Sequence, residues 1–178
     1  MPPASKKKRT SVMSFRLDED IVEALRQEAD DEEISLNVLA NHVFRRYVEW
    51  ERDAQKAGFI PITRELLMAL IDEIDEKRIE ELVRKVGKVV AKEQILYMEN
   101  HYDLDSFIKW LEARNRISGF AHKHIINGKT HDFIIQHDLN MKWSLYMKTL
   151  FEVILDDVYK KKVDFDLTPA TVVFKLER

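Results

Sequence analysis

The stretch Ser11-Val12-Met13-Ser14-Phe15-Arg16-Leu17 decides the predicted fold of the N-terminal part of the chain. Its odd-numbered residues from 13 to 17 are all large and apolar, and a period of two is typical of a half-buried β-strand. No second strand is predicted before residue 57, and a lone strand leaves its backbone donors and acceptors unpaired. The sequence therefore predicts that two copies pair these strands as an antiparallel ribbon in a homodimer.

Two amphipathic helices are predicted directly after this stretch. Asp18 is a suitable N-cap, and apolar residues then recur at helical spacing through about Asp31. Ser35 caps a second helix, whose apolar face includes Leu39 and Phe44. The predicted order within residues 11–57 is one strand followed by two helices.

This order of elements resembles the ribbon-helix-helix DNA-binding domains of the CopG, Arc and MetJ type. In that family, a two-stranded ribbon enters the major groove of DNA. The resemblance implies that the dimer core is filled by Met13, Phe15 and Leu17. It implies that base edges are contacted by Val12, Ser14 and Arg16, and that Ser35 begins the helix whose N-terminal amides hold a phosphate. Where the family usually has glycine between the helices, this chain has Asp31-Glu32-Glu33.

Charge is distributed unevenly along the chain. A formal net charge of −3 hides +5 in residues 1–17, −7 in residues 18–57 and −1 in residues 58–178. Residues 1–10 form a basic arm, which contains Lys6, Lys7, Lys8 and Arg9. Such an arm can neutralise DNA phosphates and make binding steeply dependent on salt.

The composition excludes several classes of protein. The chain has no cysteine, which rules out disulfides and thiolate chemistry and fits a reducing cytoplasm. Only four glycines occur, too scattered for a phosphate-binding glycine-rich loop. We expect no secretory signal and no membrane-spanning segment, because no long apolar run is present. With no nucleophile or oxyanion site evident, we also expect no enzymatic activity.

Residues 60–178 are predicted to form a helix-rich α+β domain with a small antiparallel sheet. Its helices are predicted to begin at capping residues Thr63, Asp75, Asp103 or Asp105, and Asn140 or Asp138. Strands are predicted at residues 163–165 and 171–176, on either side of Thr168-Pro169. We interpret this part as an effector or oligomerisation domain.

A β-hairpin is predicted around Asn127-Gly128, a strong hairpin signal between residues 117–126 and 129–137. With these two residues as the loop, His124 lies opposite His131, and Lys123 lies opposite Asp132. One face of the hairpin then carries Phe120, His122, His124, Ile126, His131, Phe133, Ile135 and His137.

The histidines of this face leave a metal site open as an alternative. His122, His124 and His131 would lie within one patch, and imidazole is a ligand of nickel, zinc and copper. A His-x-His on a strand is also similar to the nickel-responsive repressors, which join a ribbon-helix-helix domain to an α+β sensor domain. That family adds a cysteine ligand, which this chain lacks. Our main prediction includes no metal and no cofactor.

The sequence as a whole predicts a sequence-specific DNA-binding transcriptional regulator, a repressor that acts as a homodimer on double-stranded DNA. One alternative is a dimeric protein-interaction module, as in antitoxins, although antitoxins usually carry only a short tail after the DNA-binding part. The other alternative is a metal-responsive regulator. Higher oligomers through the second domain also stay open.

Overall fold

The computed structural model describes residues 10–177, so the predicted contacts of Lys6 to Arg9 lie outside the described residues. Backbone contacts divide the chain into two compact units, residues 1–45 and residues 46–178.

The first unit contains α1 (Glu19–Asp31) and the start of α2 (Leu36–Arg46). Asp18 is the N-cap of α1, as predicted, although its side chain makes no capping hydrogen bond. The turn after α1 places Glu33 at φ 55°, and the Ile34 N–H donates to the Ala29 carbonyl at 2.9 Å. This is the helix ending in which glycine usually occupies the left-handed position, and here glutamate adopts it.

The predicted ribbon is not present. Residues 10–18 form neither helix nor strand, and the described N-terminal part begins with a helix at Glu19. A strand exists only where a second strand pairs with it, and the strands of the described residues, which begin at Ala121, pair with one another. The strand-first ribbon-helix-helix fold predicted for residues 11–57 is therefore wrong.

The second unit is a helix-rich α+β structure. After α2, a π-helical stretch (Tyr47–Glu51) leads into α3 (Arg52–Ala54). Five longer helices and a second π-helical stretch follow: α4 (Arg64–Asp72), α5 (Glu76–Leu82), the π-helical Val83–Gly87, α6 (Lys88–Glu99), α7 (Leu104–Ile117) and α8 (Met141–Val158). The side chains that cap α4, α5, α7 and α8 are Thr63, Asp75, Asp103 and Asn140, which confirms the predicted helix starts.

A four-stranded antiparallel sheet completes this unit, which confirms the α+β prediction for the C-terminal part. Its strands are β1 (Ala121–Asn127), β2 (Thr130–Gln136), β3 (Phe165–Leu167) and β4 (Thr171–Glu177), in the spatial order β1-β2-β4-β3. Alternate residues of β2 and β4 are buried against the helices, among them Phe133 and Phe174, whose rings stack 4.8 Å apart. The core of the unit lies between this sheet face and α7 and α8.

The predicted hairpin is present, but its predicted register is wrong. Asn127 pairs with Thr130, so the two loop residues are Gly128 and Lys129. Gly128 has φ 62°, whereas Asn127 and Lys129 do not have positive φ. A glycine alone at the first loop position matches a type II′ turn, whereas the predicted Asn-Gly loop requires two positive φ values.

The shift changes the partners of the histidines but not their face. His124 lies opposite Phe133 rather than His131, and Lys123 lies opposite Ile134 rather than Asp132. Because each partner moves by two residues, every side chain keeps its side of the sheet. Within residues 10–177, no helix is long and apolar enough to cross a membrane.

Candidate functional site

The residues predicted to contact DNA lie at the start of the first unit. Val12, Ser14 and Arg16 are all exposed, and Val12 is almost completely so. Among the described residues, Arg16 has no ion-pair partner. Its guanidinium therefore keeps all of its hydrogen-bond donors available for a guanine edge or a phosphate.

Large apolar side chains surround these residues and are also exposed. Met13 is 72% exposed and Phe15 is 54% exposed, although the Phe15 ring lies 5.3 Å from that of Phe44. In the described part of this unit only Ala29 and Leu39 are buried apolar residues. Two buried side chains are far fewer than an independently stable domain requires.

Ser35 lies at the N-terminus of α2, as predicted. Its hydroxyl oxygen accepts a hydrogen bond from the Val38 N–H at 3.3 Å, so the side chain caps the helix. Ser35 is exposed, and the positive end of the helix dipole is open to solvent there. Its contact with a DNA phosphate stays a prediction.

Two of the three candidate metal-ligating histidines are brought together. His124 Nδ1 lies 2.7 Å from Glu112 Oε1, and His124 Nε2 lies 2.8 Å from His131 Nδ1. Glu112 Oε1 accepts a hydrogen bond from His124 Nδ1–H, and the tautomers of the two rings determine which nitrogen donates between His124 Nε2 and His131 Nδ1. The result is a hydrogen-bonded chain of one carboxylate and two imidazoles.

Burial lowers the pKa of His131, and the neighbouring His124 lowers it further. The third candidate, His122, directs its Nδ1 to the Phe120 carbonyl at 3.2 Å. Within residues 10–177, no group of three or more His, Asp and Glu side chains is arranged to hold a metal ion.

His137 fixes the junction between the sheet and α8. Its Nε2–H donates to Ser144 Oγ at 2.8 Å, and the Ser144 hydroxyl donates to the Thr168 carbonyl at 2.6 Å. Nδ1 accepts from the Leu139 N–H at 3.1 Å. The side chains of His137 and Ser144 are both buried, so the Ser144 hydroxyl is not accessible as a nucleophile. The arrangement is structural and requires a neutral imidazole.

Acidification is expected to destabilise the second unit through His137. Burial lowers the pKa of His137 from 6.5 to about 4; the smaller effect of Asp138 raises it, and that of Arg64 lowers it. Below pH 6.5 the unfolded chain binds a proton that the folded chain does not bind until about pH 4. The free energy of unfolding therefore falls as the pH falls through this window, by on the order of 2 kcal/mol at pH 4.5. Urea unfolding at pH 7 and at pH 4.5 measures the effect.

His137→Gln is the matched control, because glutamine keeps hydrogen-bonding capacity but does not titrate in this range. The variant should lose a clearly smaller amount of stability between the two pH values. An equal loss in both chains would contradict the assignment to His137.

Sequence reasoning missed two residues of this unit. Glu112 holds His124, but no spacing in the sequence connects α7 with the hairpin. Arg114 is 8% exposed, although it is charged. A signal for it was present, because Phe107, Trp110 and Leu111 define a buried helical stripe whose next position is residue 114.

No model of a known protein family matches this chain, and no characterised protein matches it either.

Proposed function

We propose that this chain is a sequence-specific DNA-binding transcriptional regulator, a repressor that acts as a homodimer through its first unit. The observation that carries the proposal is the position of Arg16, unpaired among the described residues, within a segment of exposed apolar side chains. The segment follows directly on the basic arm of residues 1–10. With no cysteine to oxidise, such a regulator would act in the cytoplasm.

A second copy of the chain is the partner that best suits the exposed apolar face. Phe15, Leu17 and Phe44 are each about half exposed, and the helices of the unit bury almost nothing between them. A twofold dimer brings the same patch of both copies together, so one apolar face covers the other. Burial of this surface supplies the stability that the unit lacks as a single copy.

DNA is the partner that best suits Arg16 and its neighbours in the same segment. Arg16 can donate two hydrogen bonds to guanine, Ser14 can donate or accept, and Val12 can contact a thymine methyl group. Lys6 to Arg9 supply four consecutive positive charges for phosphates. In a dimer these groups occur twice, which favours an operator with two related half-sites.

Arg16→Ala is expected to weaken binding to a specific operator by about tenfold to a hundredfold, because a bidentate base contact contributes about 1–3 kcal/mol. A gel-shift titration of full-length chain with genomic fragments gives the affinities. Arg26→Ala, at an exposed arginine of α1, is the matched control and should bind as the wild type does. Alanine at Lys6 to Arg9 should instead weaken binding to all fragments and reduce its salt dependence.

The proposal is wrong if the wild-type chain binds no fragment, or if Arg16→Ala retains full specific affinity. A dimer that binds no DNA would favour the protein-interaction alternative.

A further inference from the structure

A cavity of about 440 Å³ lies among the helices of the second unit. Its walls come from α4 to α8 and are almost entirely apolar, with side chains that include Leu67, Ile71, Val86, Val90 and Leu150. The volume is within the range of sites that bind small organic molecules. Val86, half exposed, lies where the cavity reaches the surface.

Three residues that line this cavity each have a buried side-chain donor without a hydrogen-bond partner. The donors are Arg114 Nη1, Trp110 Nε1 and Trp143 Nε1. All three side chains are more than nine-tenths buried. A buried donor without a partner is energetically costly, and native proteins rarely leave several of them in one place.

Arg114 is the most unusual of the three. Its guanidinium lies 5.5 Å from the Trp110 ring and 6.0 Å from the Tyr146 ring, and these aromatic faces attract the cation. The two rings do not accept hydrogen bonds from the N–H groups in the plane of the guanidinium. Among the described residues, no carboxylate forms an ion pair with Arg114. A buried and unpaired charge is strongly unfavourable unless an anion neutralises it.

We propose that this cavity binds a small monocarboxylate with an apolar body, and that Arg114 and the two indole N–H groups hold its carboxylate. The guanidinium fork matches a carboxylate in a bidentate geometry. The single cation suits one negative charge rather than a phosphate with two. The apolar walls suit an alkyl or aryl body and exclude a second polar end. This site does not depend on the proposed DNA binding.

A second cavity of about 740 Å³ shares Arg114 and Trp143 with the first. Its lining is more polar and includes Glu51, Gln55 and Arg64. Arg114 therefore lies where an apolar cavity meets a more polar one, which is the place where the head group of an amphipathic ligand is expected.

The test measures binding of octanoate and 4-phenylbutyrate to the full-length chain by calorimetry and by tryptophan fluorescence. Each carboxylate is compared with the primary alcohol of the same carbon skeleton. We expect one carboxylate per chain to bind saturably, at least tenfold more tightly than its alcohol. Arg114→Met should reduce carboxylate affinity at least tenfold and leave the affinity for the alcohol unchanged. Arg116 lies on the same helix as Arg114 and forms an exposed ion pair with Glu49, so Arg116→Met is the matched control and should bind as the wild type does.

Val86→Trp is the second variant, because it narrows the cavity from a half-exposed position and leaves the buried core intact. Val86→Trp should weaken the binding of both carboxylates. If Arg114→Met does not fold, this variant tests whether the carboxylates bind in the cavity. The proposal is overturned if neither carboxylate binds saturably, if carboxylates bind no better than alcohols, or if either folded variant binds the carboxylates as the wild type does. No DNA is present in this experiment, so its failure would leave the proposed DNA binding unaffected.

Discussion

Phe15→Asp is expected to convert the full-length chain from a dimer to a monomer and to lower its affinity for an operator at least about a hundredfold. Phe15 is 54% exposed in one copy, and we propose that the second copy covers it. Burial of an unpaired carboxylate in that contact is strongly unfavourable, so the aspartate prevents association. Loss of the dimer separates the two half-site contacts, and their binding energies no longer combine. Sedimentation gives the mass, which should fall from twice 21.1 kDa to 21.1 kDa.

Ile126→Asp is the matched control for this experiment. Ile126 is an exposed apolar residue of β1 in the second unit, so the same change of chemistry occurs outside the proposed contact. This variant should keep the mass and the DNA affinity of the wild type. A Phe15→Asp chain that still sediments as a dimer would contradict the proposed contact.

Phe151→Ala is expected to lower the free energy of unfolding of the second unit by about 3–5 kcal/mol. Phe151 lies on α8 and is completely buried, with ring centroids 5.9 Å from Phe107 and 5.7 Å from Phe174. It joins α7, α8 and the sheet, so truncation leaves a cavity where these three elements meet. Urea unfolding monitored by circular dichroism measures the change.

Phe165→Ala provides the comparison, because Phe165 contacts the same Phe174 ring at 5.2 Å but is only partly buried. Phe165→Ala should lower the free energy of unfolding by less than half as much as Phe151→Ala does. Equal losses at the two positions would show that α8 does not organise this core as described.

The sequence predicted the helix starts because capping is local. Thr63, Asp75 and Asn140 each accept a hydrogen bond from an N–H three residues later, and nothing distant is needed for that contact. The hairpin was also predicted correctly as an element, together with the face that carries its histidines. Its register was not, because the choice between two loops depends on which residues adopt positive φ.

The N-terminal strand could not be decided from its pattern alone. Alternation between Ser11 and Leu17 describes which side chains share a face, but a ladder also needs a partner. Among the described residues, all strand pairing occurs within the C-terminal sheet. The segment is not a strand, but its apolar side chains are exposed and Arg16 has no ion-pair partner among residues 10–177.

The two sites differ in how far the sequence could reveal them. The residues of the proposed DNA contact, the basic arm and Arg16, lie within the first 16 residues, so they could be proposed from the sequence alone. The Arg114 cavity combines five helices that are distant in sequence, and only the interruption of an apolar stripe by arginine marked it. The bond between His124 and Glu112 joins the hairpin to α7 and carried no sequence signal.

Selection of bound DNA from a random pool with the full-length wild-type chain tests the central claim most directly. A sequence-specific homodimer should enrich one palindrome, whose two half-sites are separated by a fixed spacing. Arg16→Ala in the same selection should lose preference at the base pairs that Arg16 contacts. A pool that stays random after repeated rounds with the wild-type chain would contradict the proposed function.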